Sequence, residues 1–371
     1  MNNVNEEYNS YLYKILSDEN SLFKNSRAGG TIANSGLSMK FDLSQGFPLI
    51  NTKDVFYRGF IHEMVHFMHG PQNDGNLHVD YFIDNKCNFW NKDVFNFYLK
   101  KKGIKYDSID EFNKNFILFE EKLKNDPEFR KKNGIMGRPY GAQWRDWKSN
   151  SGVNIDQLAN AFEEIKNHSD SRRIIVEAWR PDELSEMALP PCHKTFQFMV
   201  MGDRLDIIMY QRSADSFLGV PFNIGEYGLM GLLGAKYAGL KPGIFTHQIA
   251  DAHIYCGVEE KAKWYQQNFD ILREKIKTVK NREDFLTIKE WIDNNSTKPK
   301  EEYKEEYDHV TAVLEQMSRD PNKYPTPQLE VIIDENLSAK ELLDTLKFEN
   351  FKVKGYKDNH YPKIIRQMST G

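Results

Sequence analysis

Cysteine is scarce in this chain of 371 residues: there are three, Cys87, Cys192 and Cys256, and no two stand in a CxxC arrangement. An odd, widely spaced set excludes a disulfide scaffold and offers no zinc framework, so no metal is expected. Long apolar runs are missing too, and no stretch reaches the length that crosses a bilayer. Neither sign of charge dominates. Lys and Arg number 50 against 54 Asp and Glu, a formal net charge of -4. Nothing therefore draws the whole molecule to nucleic acid or to an anionic membrane, and any anion site must be local. The opening MNNVNEEYNSYLYK lacks the basic-then-apolar order of a secretion signal. Together with the cysteine usage, this leads us to expect a reducing cytoplasm. There is no internal repeat.

What is present suffices for a core: 40% hydrophobic and 13% aromatic residues. NEEYNSYLYKIL reads as a helix, LSMKFDL as a strand, and VFYRGFIHEMVHFMHG as a helix ended by glycine. Residues from about 91 to 133 form a Lys-, Asn- and Phe-rich helical insert. NIDQLANAFEEIKN is an amphipathic helix, followed by strands RRIIVEAW, TFQFMV and RLDIIMYQRS. GEYGLMGLLGAKYAGL is a helix of small residues suited to close packing. A charged helical insert spans about 258–306, and LEVIID and FENFKVKGY are late strands. Irregular mixing of helices and strands predicts α+β architecture in one domain over residues 1–371.

The local chemistry starts at MALPPCHKTFQF. Cys192 lies between two prolines and His193, with Arg172 and Arg173 upstream. It is either a reactive thiolate supported by positive charge or a buried structural thiol. In YQRSADSFLGVPFNI, Gln211, Arg212 and Ser213 crowd a strand end, where Arg212 can grip a phosphate bidentately. Asp215 and Asn223 flank an apolar turn. An asparagine carries the donor and the acceptor that match the edge of a uracil. His253 and Tyr255 in DAHIY share one side of an extended segment, within reach of a sugar. Arg172 and Arg173 are costly before a buried strand unless they meet an anion. Arg27 is a further phosphate candidate.

MALPPCHKTFQF, YQRSADSFLGVPFNI, DAHIY, DSRRIIVEAW and GRPYGAQWR stand in the order and approximate spacing of thymidylate synthases. The chain resembles that family over most of its length. The resemblance implies a mixed sheet with packed helices and a homodimer formed sheet to sheet. It also implies one-carbon transfer from 5,10-methylenetetrahydrofolate to C5 of dUMP. Cys192 then matches the nucleophile that adds to C6, Glu63 the carboxylate that organises proton transfer, and Tyr140 the tyrosine assigned to C5 deprotonation. His193 and Gln211 match the supporting network. Arg27, Arg212 and Ser213 match phosphate ligands, and Arg172 and Arg173 match arginines donated across the dimer. His253 and Tyr255 match the sugar contacts, and Asn223 matches the base reader. Lys53, Trp90, Leu189, Asp215, Gly219 and Phe222 match folate contacts.

The folate side departs from the pattern. Asp54 and Phe56 follow Lys53 where basic residues are usual, His66 replaces a tryptophan, and Asp93 replaces the partner of Trp90. The terminal QMSTG is more polar than the usual apolar tail. A wetter site would let water, in place of the folate hydride, trap the base's exocyclic methylene. The departures therefore predict 5-hydroxymethyl-dUMP and tetrahydrofolate as products. That outcome resembles the phage enzymes of hydroxymethyluracil DNA and would place the protein in the host cytoplasm. The alternative is an ordinary thymidylate synthase yielding dTMP and dihydrofolate.

Overall fold

In the computed structural model, which describes residues 3–26, 29–298 and 307–367, the chain falls into two compact units. One comprises residues up to 57, 199–332 and 351 onward; the other comprises 58–198 and 333–350. Helices and strands follow one another without regular alternation, the expected α+β pattern.

The first unit is built on a mixed sheet. Its central strand, Lys241–Tyr255, runs antiparallel to Gly29–Asp42, with Phe245 opposite Phe41 and Ile254 opposite Ile32. On the other side it runs parallel to Arg204–Gln211. Leu22–Ser26 pairs antiparallel with Gly29–Asp42. The short Ala214–Asp215 pairs with the central strand so that Asp215 stands opposite His253. In RLDIIMYQ, Leu205, Ile207, Met209 and Gln211 are the buried residues, the alternation of a strand with one face covered.

The helix Gly219–Ala238 packs on this sheet with most of its residues buried, which accounts for its largely apolar composition. The sequence reading began this helix at Gly225 and made a turn of the residues between Asp215 and Asn223. The helix instead begins at Gly219. Pro221 falls in the first helical turn, where its missing N–H breaks no helical hydrogen bond. Asn223 thus stands on a helix.

Helix Val4–Ser17 buries Tyr8, Tyr11, Leu12, Ile15 and Leu16, and its Asn3 cap accepts from Glu6 N–H. The charged stretch holds helices Glu259–Lys277 and Glu283–Asn295. A helix the sequence did not disclose, His309–Ser318, is capped by Asp308. The two late strands appear as the antiparallel pair Gln328–Val331 and Phe351–Lys354.

The second unit takes nearly all of helix Tyr57–His69. Residues 91–133 carry helices Asn91–Lys102, Ile109–Asn125 and Pro127–Asn133. They gather around Phe95, whose ring lies 5.0 Å from Phe119 and 5.3 Å from Phe112. The RRIIVEAW strand shrinks to Ile175–Glu177, antiparallel to His193–Met201. Ile175 N–H donates to the Arg173 carbonyl at 2.9 Å, a tight turn that keeps the arginines out of the ladder.

Candidate active site

In the second unit, aromatic packing brings the expected reactive residues together. Phe67 stacks on Tyr140 at 4.8 Å and meets Trp90 edge-on at 6.2 Å. Tyr140 stacks on His193 at 4.1 Å. Glu63 lies one helical turn before Phe67, and its Oε1 accepts from the Trp90 indole N–H at 2.6 Å. The Tyr140 hydroxyl accepts from Cys192 N–H at 2.9 Å. Tyr140 holds φ 40 and ψ -101, a strained conformation for a bulky residue. The strain is maintained because the next residue, Gly141, sits against the Phe67 carbonyl, where any side chain would collide.

Cys192 is partly exposed, whereas Cys87 and Cys256 are buried. Burial pushes the Cys87 thiol up to about 11 and raises the Cys256 thiol well above its ordinary value. Of the three cysteines, only Cys192 has the access that a reactive thiol needs. Leu189 lies half-buried in the loop before it. That loop is fixed by Ala188 N–H donating to the Met136 carbonyl at 2.9 Å.

Arg172 and Arg173 are exposed, so they carry no burial cost within their own unit, contrary to the sequence argument. Neither guanidinium has a partner among the described residues. His66 is 5% exposed and stacks on Tyr81 at 5.3 Å. Burial lowers its pKa to about 3. Burial also raises Asp93 to about 6, with Lys92 partly opposing.

The first unit assembles a second group. Gln211 Nε2 donates to Asn223 Oδ1 at 3.0 Å, and Asn223 Nδ2 donates to Glu226 Oε2 at 2.9 Å. Arg212 and Ser213 follow directly, half-buried at the strand end. Asp215 Oδ1 accepts from Phe217 N–H at 3.0 Å and lies 3.5 Å from His309 Nδ1, while its buried Oδ2 has no partner among the described residues. Burial opposes charge on Asp215, but His309, His253 and the Leu218 N–H outweigh it and hold the carboxyl at about 2.

His253 and Tyr255 meet edge-on at 5.1 Å. Lys53 donates to the Phe217 carbonyl and lies 3.5 Å over that ring. Burial lowers its ammonium to about 7, against the pull of Asp215. A side chain at Gly219 would meet only Asp215 and Asn223, at ordinary contact distance, so the glycine leaves open the space between them. Phe222 is half-buried one residue before Asn223. Arg27 and the last four residues, Met368–Gly371, lie outside the described residues.

Several participants were not singled out in the sequence. His309 and His247 are fully buried yet aimed at Asp215 and Gln211. Tyr8 and Tyr11 anchor Ser216 through hydrogen bonds of 2.6 and 2.8 Å.

The thymidylate synthase family profile matches residues 6–370. A thymidylate synthase of Listeria monocytogenes serotype 4a (strain HCC23) is 40% identical over 260 residues, covering 66% of this chain and 81% of that protein. The thymidylate synthase of Listeria innocua serovar 6a is similar to the same extent, 40% over 260 residues with the same coverage. The chain belongs to the thymidylate synthase family. It is a folate-dependent one-carbon transferase acting at C5 of dUMP, with 5,10-methylenetetrahydrofolate as co-substrate. The residues present fit that folate: Asp215 Oδ2, with no partner among the described residues, offers an acceptor suited to the N–H groups of a pterin ring, and Gly219 leaves room beside it. No helix among the described residues is long and apolar enough to cross a membrane.

Proposed function

We propose that the chain is a thymidylate synthase, converting dUMP and 5,10-methylenetetrahydrofolate to dTMP and dihydrofolate. The observation that carries this reading is the Glu63–Trp90 hydrogen bond, set in the same aromatic packing that holds Tyr140 to Cys192. The Cys192 thiolate adds to C6 of the uracil, which makes C5 nucleophilic toward the one-carbon unit. The Tyr140 hydroxyl, bonded to the nucleophile's own N–H, serves removal of the C5 proton. Glu63, held by Trp90, organises proton transfer, with His193 packed beside Tyr140. Asn223, oriented by Gln211, reads the base.

Arg212, Ser213 and Arg27 bind the phosphate, joined by Arg172 and Arg173 from the other subunit of a homodimer. His253 and Tyr255 take the sugar. Asp215, Lys53, Trp90, Leu189, Gly219 and Phe222 hold the folate, which supplies both the methylene and the hydride. A homodimer in the cytoplasm is the setting that agrees with this chemistry.

Two observations favour hydride over water as the final acceptor, in place of the hydroxymethylated product expected from the sequence. The relatives that cover most of their own length carry the name thymidylate synthase. His66, standing where a tryptophan is usual, is a buried, stacked aromatic ring and not an opening to solvent. The test is product identity. With dUMP and methylenetetrahydrofolate, we expect a methyl mass gain and stoichiometric dihydrofolate absorbance. A hydroxymethyl mass gain without dihydrofolate would overturn this reading in favour of water.

A further inference from the structure

The base reader, Asn223, is held at both ends of its amide. We infer that Glu226 locks Asn223 in the orientation that reads uracil, and so sets discrimination against cytosine. This inference rests on the dUMP site proposed above.

The hydrogen-bond chain has one fixed end. The Ser213 carbonyl can only accept, so the Gln211 atom 3.0 Å from it is the amide nitrogen. The same nitrogen donates to Asn223 Oδ1 at 3.0 Å. Gln211 Oε1 meets His247 Nε2 at 2.8 Å. Burial keeps this imidazole neutral, and the accepting Gln211 Oε1 places its one proton on Nε2, while Nδ1 has no partner among the described residues. With Oδ1 thus assigned, Asn223 presents Nδ2 to Glu226 Oε2 at 2.9 Å. Glu226 is 0% exposed.

Asn223 retains one Nδ2 hydrogen and one Oδ1 lone pair for a ligand. These match uracil, whose O4 accepts and whose N3–H donates. Cytosine reverses both, with an accepting N3 and a donating amino group, and would need the amide inverted. Inversion sets Asn223 Oδ1 against the Glu226 carboxylate and Nδ2 against the Gln211 amide nitrogen. Both are buried like-with-like pairs that leave polar groups unsatisfied. In its carboxylate form Glu226 can only accept, and that form blocks the inverted state. It does so without touching the base, as a positioning residue.

The discriminating variant is Glu226→Gln. It keeps size and burial, but its amide can turn to offer either oxygen or nitrogen. We expect the dUMP-to-dCMP selectivity, measured both as the ratio of kcat/KM values and as the ratio of nucleotide dissociation constants, to fall by about tenfold or more. The fall should come mainly from tighter dCMP binding, an outcome that mere loosening of the fold would not produce. Should the glutamine variant fold poorly by circular dichroism, Glu226→Ser is read the same way, because a hydroxyl donates or accepts. Selectivity equal to wild type in a folded variant overturns the role of Glu226. A wild-type protein that does not bind dUMP at all would instead sink the substrate assignment, so the two failures are separable.

Discussion

His66 shows how a single buried side chain couples packing to pH. Its ring is enclosed by Tyr81, Phe67 and Phe82, and its Nε2 has no partner among the described residues. Burial holds its pKa at about 3, below the ordinary 6.5. Between those values the unfolded chain binds a proton that the folded chain refuses. Stability from this site is therefore complete above about pH 6.5 and is lost as the pH falls toward 3, at about 1.4 kcal/mol per pH unit. His66→Phe keeps the stack and removes the titration. Urea midpoints measured from pH 7.5 to 4.5 should fall less steeply for the variant, which should match or exceed wild type at neutral pH. Parallel pH profiles would show that the ring does not titrate as described. Individual residues were unevenly legible. Cys192 and Asn223 announce themselves because polar partners stand close by in the sequence, whereas Tyr140 is picked out only by the family resemblance. His309, His247 and Glu226 act through partners far away in sequence or hidden inside a helix, so only folding reveals them.

The helix Gly219–Ala238 carries the argument at the level of elements. Its small residues were readable as a close-packing surface, but which of them matters depends on the rigidity of what lies opposite. A Cβ at Gly228 would enter the Pro48 ring, 2.7 Å from Cδ and nearer to Cγ, and the ring cannot turn aside. A Cβ at Gly231 would stand 2.7 Å from a Leu43 methyl, the free end of a flexible side chain, and 3.1 Å from Ile207 Cγ2, which needs to give by only a few tenths of an ångström. Each Gly→Ala change gains about 1 kcal/mol of helix propensity. For Gly228→Ala, overpacking of about 1–3 kcal/mol should outweigh that gain and destabilise the protein. Gly231→Ala should be close to neutral. Chemical denaturation of the two variants decides the matter, and the reverse order would refute the rigidity argument. The helix start escaped the sequence reading for a related reason. Pro221 looks like a breaker until its place in the first turn is known.

At the scale of the whole molecule, the question is where Arg172 and Arg173 act. Two adjacent guanidinium groups are exposed and without partners among the described residues, beside Ile175, a strand residue 49% exposed. Charge left unpaired next to exposed apolar surface is poorly explained by an isolated chain but well explained by an isologous dimer, in which each copy supplies the other. Complementation tests this directly. On the roles proposed, Cys192→Ser homodimers would lack the nucleophile and Arg172→Ala/Arg173→Ala homodimers the phosphate grip, so each alone should be nearly inactive. After equal mixing with subunit exchange, about half the dimers are hybrid. If the arginines act across the interface, one site in each hybrid has an intact cysteine and intact donated arginines, and activity should return to about one quarter of wild type. If they act within their own subunit, every hybrid site lacks one or the other and nothing returns. Native mass spectrometry of the mixture confirms that hybrids form, so silence can then be assigned to geometry and not to failed exchange.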